Sequence, residues 1–407
     1  NEFNQDQSME LLIKGETGNP NDVIFDGQDN NVQRFFEFQR GDPFKDKITI
    51  QGITFQSEFH NGDDQGGSQS PGGGAILISR TTTELVFDRI IFRNNVALQP
   101  YFHSGGGAVF ISVRRGSISP KFIECGFINN RVSNKDDNDG SNAFGGAVSI
   151  EPGWDGFNGS PSDESAVIFD RCYFSGNIAQ LNSNNNSNRP SGAAIDAMAS
   201  IIVRNSLFVD NRINNSNNNN SSSNNTINLQ PEYMSSDGQN RAAGRALLIN
   251  NTFYDNKTQK VVSLNGSSDY LNTHIYNNIF SEYKSVALEL GNAVNLNSDH
   301  NLFDKNDGNY EGLNNNNVEG LQNHIKERKI SFCRFNKKKK INYLNLKLLR
   351  KNQDYFMYDK SGNYLSLLYT MQGDVYDIEI SPNGDNLIVA SDNGGCKIIN
   401  ATNGGLL

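Results

Sequence analysis

The chain has 407 residues, 36% of them hydrophobic and 20% charged, with 38 glycines and clustered asparagines. That length holds two or three ordinary domains or one long solenoid, and the composition is that of strands and turns with long polar loops. The formal charge of -9 argues against a nucleic-acid partner, which needs a basic face.

No apolar run approaches the roughly 18 residues of a membrane-spanning helix. Four cysteines are too few for a disulfide framework and leave the compartment open. The sequence starts at Asn1 without a methionine, so an upstream segment is expected to have been removed or never included.

In chain order, a short apolar strand closes on phenylalanine again and again. The copies are KITIQGITF (Phe55), LVFDRIIF (Phe92), KFIECGF (Phe127), VIFDRCYF (Phe174), IIVRNSLF (Phe208), ALLINNTF (Phe253), THIYNNIF (Phe280) and LNSDHNLF (Phe303). Asparagine stands three residues after the aromatic at Asn95, Asn130, Asn177, Asn211, Asn256 and Asn306. A second motif, Gly-Gly-Ala plus an aliphatic strand, runs between the early copies. It reads GGAILIS (73–79), GGAVFISV (106–113) and GGAVSIEP (145–152), with weaker copies GAAIDAM (192–198) and GRALLIN (244–250). The pair recurs about every 35 to 45 residues early and about every 25 late. The shortest unit fits three strands joined by tight bends, and longer units carry an inserted loop.

Strands at fixed spacing without helices between them can stack in parallel, each on the last. Phenylalanine at one place in each unit then stacks at the ~4.8 Å strand spacing. Glycine permits a corner where backbone approaches closely. Asparagine tolerates left-handed conformations and can bond the next unit's backbone. A propeller or sandwich would need hairpin turns that these strands lack.

These motifs resemble the Gly-Gly-Ala-Ile and Phe-x-x-Asn repeats of chlamydial polymorphic membrane proteins, and more widely the right-handed, pectate-lyase-like β-helix superfamily. The resemblance covers about residues 10 to 306. It implies an all-β fold, a right-handed single-stranded parallel β-helix of about eight rungs, in a domain spanning 1–306.

Aligned on phenylalanine, Arg89, Glu124 and Arg171 should form a column of alternating charge, continued by Asn205, Asn250 and Asn277 as an amide ladder. Cys125 and Cys172 each stand two before phenylalanine. They should be interior neighbours, either as small apolar residues or as a disulfide. The Asn/Ser tracts 182–188 and 214–225 cannot bury apolar area and are expected to be disordered insertions. Sequons, at Asn250 and Asn256 among others, are glycan acceptors only in a secreting eukaryote.

Past residue 307 the pattern stops. Residues 307–353 read as a polar, Lys-rich linker, with Lys337 to Lys340 as a solvated run. Residues 354–407 resemble a partial WD-repeat fragment. The stretch 373–407 has the strands and turns of one blade, with Ile399-Asn400 in place of Trp-Asp. A propeller needs about four or more blades, so this piece is expected to be truncated or joined from another chain.

No residue set qualifies as catalytic, cofactor-binding or metal-binding. Asp88 and Asp170 sit in repeated FDR triplets, which suits a structural role; Asp196 and Asp210 complete the candidate carboxylates for a hydrolase pair or a lyase base. The acidic loop Asp136, Asp137, Asp139 does not match a calcium loop. His60, His103, His274, His300 and His324 lack metal-ligand spacing. The expectation is a non-catalytic, adhesin-like scaffold, extracellular or on the cell surface, binding glycans or surface proteins. A polysaccharide lyase or hydrolase and a WD-type interaction module are the alternatives.

Overall fold

The computed structural model describes residues 10–28, 34–39, 47–61, 72–79, 81, 83–99, 105–113, 118–134, 142–152, 166–181, 190–215, 224–229, 233–234, 240–241, 246–254, 256–264, 272–282, 286–290, 295–299, 301–304, 308–311, 347–351, 354–358, 364–370, 375–380, 386–391 and 395–400. Among them every regular element is a strand. The chain separates into two compact units, Asn1–His324 and Ile325–Leu407.

The first unit contains three parallel sheets of nine strands each and one of five. The chain meets them in a fixed order. It runs through the first sheet (Glu10–Lys14 at its start, Asn295–Asp299 at its end), then the second (Ile24–Asp26 to Leu302–Asp304), then the third (Phe36–Gln39 to Gly308–Glu311), and begins again. Each strand pairs in register with its counterpart one circuit away. Phe92, for example, stands between Phe55 and Phe127. This arrangement is consistent with a parallel β-helix.

Two details differ from the sequence expectation. The sheets hold nine strands where eight aromatic endings were counted. The extra one is Ile24–Asp26, whose Phe25 pairs with Phe55 but is followed three residues on by Gln28 instead of asparagine. In the second to sixth circuits a fourth strand (Phe59–Asn61 first, Arg212–Asn215 last) makes up the five-stranded sheet, where an insertion was expected.

The core is a pile of aromatic rings. Along the second sheet, Phe92–Phe127, Phe127–Phe174, Phe174–Phe208, Phe208–Phe253 and Phe253–Phe280 have centroids 5.0, 4.6, 4.6, 4.7 and 5.0 Å apart. A second pile on the first sheet joins Phe87, Phe122 and Phe169 at 4.8 and 5.0 Å. Each buried ring contributes roughly 2–3 kcal/mol by leaving water, and stacking adds about 1 kcal/mol per pair.

One left-handed residue makes the bend from first to second sheet. Gly52, Arg89, Glu124, Arg171, Asn205, Asn250 and Asn277 all have positive φ there. The charged column and the amide ladder therefore share one corner, as the alignment predicts. Arg171 Nε meets Glu124 Oε1 at 3.0 Å, and Asn250 Nδ2 donates to Asn205 Oδ1 at 3.3 Å. Arg89 instead pairs with its neighbour Asp88, at 3.3 Å. The Gly-Gly motif divides two tasks. Gly106 takes φ +82, and a Cβ on Gly107 would lie 2.1 Å from the Gly146 carbonyl of the next circuit.

The asparagines three after phenylalanine form an interior ladder. Asn95 Nδ2 donates to Phe55 O (3.1 Å) and Asn130 Oδ1 (3.0 Å). Asn130, Asn177 and Asn211 repeat both bonds one circuit further on each time, ending at Asn256 Oδ1. All five are buried, so the sequon at Asn256 is a core position. A second ladder of Asn251, Asn278 and Asn301 occupies the column two before phenylalanine. Cys125 and Cys172 are earlier members of that column. They are buried and free, and donate to Phe87 O at 3.3 Å and Phe122 O at 3.4 Å.

GRALLIN (244–250) is misassigned by its motif. Its strand Ala246–Ile249 belongs to the first sheet, beside Ile201–Arg204. The third-sheet strands nearest it are Asn225–Leu229 and Lys260–Leu264, which carry no Gly-Gly. The tract read as the insertion 214–225 thus begins and ends in strands, and Asn225 is fully buried. Residues 182–188, 216–223, the Lys337–Lys340 run, the acidic loop, His103, His300, His324 and Asn306 lie outside the described residues.

The second unit contains two three-stranded antiparallel sheets. One comprises Lys347–Lys351, Asp354–Tyr358 and Tyr364–Thr370; the other Val375–Ile380, Asn386–Ser391 and Gly395–Asn400.

Candidate functional site on the third sheet

Alternation along the third sheet sends Val148, Ile195, Ile227 and Val262 into the core. Their neighbours point the other way. Register places Phe110, Ser149, Asp196, Asn228, Ser263 and Glu289 in one column, each a circuit from the last. Upstream the column holds Glu37, Leu77 and Phe110, and from Ser149 onward it is polar. Ser149, Asp196, Asn228 and Ser263 are nonetheless buried.

Asp196 Oδ2 accepts hydrogen bonds from Ser191 Oγ and from Asn228 Nδ2, the latter at 2.8 Å. Its Oδ1 has no partner, and neither does Ser149 Oγ. Burial pushes the Asp196 carboxyl up to about 6, against the pull of the bonds from Ser191 and Asn228. Glu151 lies two residues beyond Ser149 on the same face. Its Oε1 is also buried without a partner. Burial, and then the nearby Asp196, push its carboxyl well above the usual range. Further along, Glu289 accepts from Ser263 Oγ and pairs with Lys260 Nζ.

This arrangement holds two carboxyls from adjacent circuits, each made harder to ionise by burial. Such groups can donate or accept a proton. Of the candidates from sequence, only Asp196 is in this cluster. Asp170 is buried and accepts from Arg171 (3.1 Å), Arg204 (3.1 Å) and Asn205 (3.2 Å). Asp88 bonds Gln51 and Arg89. Asp210 is a left-handed bend residue with φ 54. These three serve the stack. His60 Nε2 lies 2.9 Å from Arg34 Nη2, and burial, then Arg34, push its ring down to about 4. Among the described residues, no group of three His, Cys, Asp or Glu side chains could hold a metal.

Glu151, Asn228, Lys260 and Glu289 were missed. Aligning GGAVSIEP with GAAIDAM by setting Ala147 over Ala194 puts Ser149 over Asp196 and Glu151 on the same face, so part of the cluster was within reach. The three strands that carry Asn228, Lys260 and Glu289 lack the motif that would have aligned them.

A scan against protein-family models, a search of curated proteins and a search of solved structures each find no match to this chain. Among the described residues no helix is long and apolar enough to cross a membrane.

Proposed function

We propose that this protein is a non-catalytic scaffold, secreted or displayed on a cell surface, whose parallel strands wind as a right-handed β-helix and whose flat faces bind glycans or surface proteins. One observation carries the reading. The residues that recur from circuit to circuit are consumed in holding the stack: rings on rings and amides on amides. What varies is the outer face and the connections, which is where a scaffold carries its binding specificity. The motif resemblance to polymorphic membrane proteins favours the same reading, and the tail is proposed as part of a WD-type propeller that contributes protein contacts. The test is a glycan array with the purified chain, joined to protease shaving of intact source cells. Saturable glycan or surface-protein binding is expected, with the chain removed by shaving. A chain that resists shaving and binds nothing refutes the proposal.

A second reading rests on Asp196 and Glu151. Two neighbouring carboxyls from adjacent circuits, both shifted upward by burial, are ingredients of polysaccharide cleavage, by hydrolysis or elimination. Incubation with a polysaccharide panel distinguishes it. Reducing ends, or ultraviolet-absorbing unsaturated uronates, would appear with the native chain and vanish with Asp196→Asn.

A further inference from the structure

Residues 1–324 contain two cysteines, and the fold brings them together. Cys125 and Cys172 stand one before Gly126 and Tyr173, which pair in register on adjacent circuits. Tyr173 N–H donates to Cys125 O at 2.8 Å, so the two backbones are hydrogen-bonded at this point. Neighbouring strands lie about 4.8 Å apart, inside the roughly 4.4–6.8 Å between Cα atoms that a disulfide spans. The side chains also point alike. Cys125 Sγ donates to Phe87 O and Cys172 Sγ to Phe122 O, and Phe87 and Phe122 are themselves register partners. Both thiols are buried, with the residues 1% and 2% exposed.

The column around the pair shows what it lacks. From Cys172 onward each backbone N–H donates to a side-chain oxygen one circuit later. Cys172 donates to Ser206 (3.0 Å), Ser206 to Asn251 (3.0 Å), Asn251 to Asn278 (2.9 Å) and Asn278 to Asn301 (2.9 Å). A cysteine side chain has no oxygen and its sulfur accepts weakly, so Cys172 cannot offer Cys125 the same link. The step between them is also the widest. Counterpart asparagines are 47 residues apart across it, against 23 to 45 across the other circuits these columns span.

We propose that Cys125 and Cys172 are oxidised to a disulfide that staples these two circuits. The bond closes the longest circuit, where it removes the most freedom from the unfolded chain. Each thiol gives up its hydrogen and an Sγ–Sγ bond forms. The two electrons and two protons pass to a small-molecule disulfide, which leaves as two thiols. Burial, and then Cys125 beside it, push the Cys172 thiol well above its ordinary value. The folded chain therefore exchanges slowly, and the bond forms as the circuit closes during folding. The proposal is independent of what the faces bind and needs only an oxidising compartment.

The experiment is thiol mapping on the full chain, with Cys333→Ser and Cys396→Ser to leave one pair, and on the native chain in parallel. Each is produced in an oxidising compartment and, separately, in a reducing one. It is then unfolded in alkylating reagent without reductant, digested and weighed. From the oxidising compartment a peptide pair joined through Cys125 and Cys172 is expected, with both thiols lost to the reagent. From the reducing compartment both are alkylated once unfolded. The urea midpoint of the oxidised chain should exceed that of the reduced chain, and Cys125→Ser should abolish the difference. Both thiols alkylated in the chain from the oxidising compartment overturns the proposal. So does cross-linking between chains, or an oxidised chain no more stable than the reduced one.

Discussion

Asn177, like Asn130 and Asn211 on either side of it, makes four buried hydrogen bonds through its side chain. Its Nδ2 serves Phe127 O and Asn211 Oδ1, and its Oδ1 receives both the backbone N–H and the Nδ2 of Asn130. Removing the side chain orphans several of these at once, at about 1–3 kcal/mol each. Asn177→Ala should therefore lower unfolding free energy by roughly 3 kcal/mol or more in urea melts. Glu58 stands at the position of the asparagines one circuit earlier. It is buried, its Oε1 lacks a partner, and burial pushes its carboxyl up to about 7 from 4.5. A carboxyl raised in the folded state holds its proton longer there than in the unfolded chain. Its contribution is thus full below pH 4.5 and is lost as pH rises toward about 7. Glu58→Gln should remove that part of the pH dependence, so the stability difference between variant and native chain should widen in favour of the variant across this window. At this scale the sequence was informative where one residue type recurs. Glu58 breaks the type and went unnoticed, although its place three after Phe55 is plain.

The strand ending in phenylalanine is the element that repeats, and its worth depends on where it lies. Phe174 is fully buried between Phe127 and Phe208 at 4.6 Å on each side, whereas Phe25 is 42% exposed at the end. Phe174→Ala should cost about 3–5 kcal/mol and Phe25→Ala about a third of that, compared in guanidinium unfolding. Equal losses would mean the pile is not the unit of stability. The parallel sheets, the stack and the shared corner were legible because period and residue type coincide. Ala246–Ile249 was read twice, correctly in the phenylalanine series as ALLINNTF and wrongly as a Gly-Ala copy, because alternating aliphatics suit the first sheet and the third alike. The fourth strand was hidden for a related reason. Val96–Gln99 follows the ladder residue Asn95 directly, so it read as the continuation of a bend.

For the whole molecule, the aromatic piles and ladders described all lie within Asn1–His324, which forms one compact unit. A chain of residues 1–324 should keep a single cooperative thermal transition close to that of the parallel unit in the full chain, followed by circular dichroism. A collapse of that transition would show that Ile325–Leu407 is needed to hold the sheets. The long ladder also has a direction. Along the asparagine column, every amide from Asn95 to Asn211 donates to the next asparagine in chain order and none to the preceding one, its second bond going to a phenylalanine carbonyl. Their dipoles therefore add head to tail. The oxygen pole faces Glu58 and the amine pole lies at Asn256. A coil built from near-identical turns thus carries an axial electric polarity, repelling an anion from its early end and tolerating one at its late end.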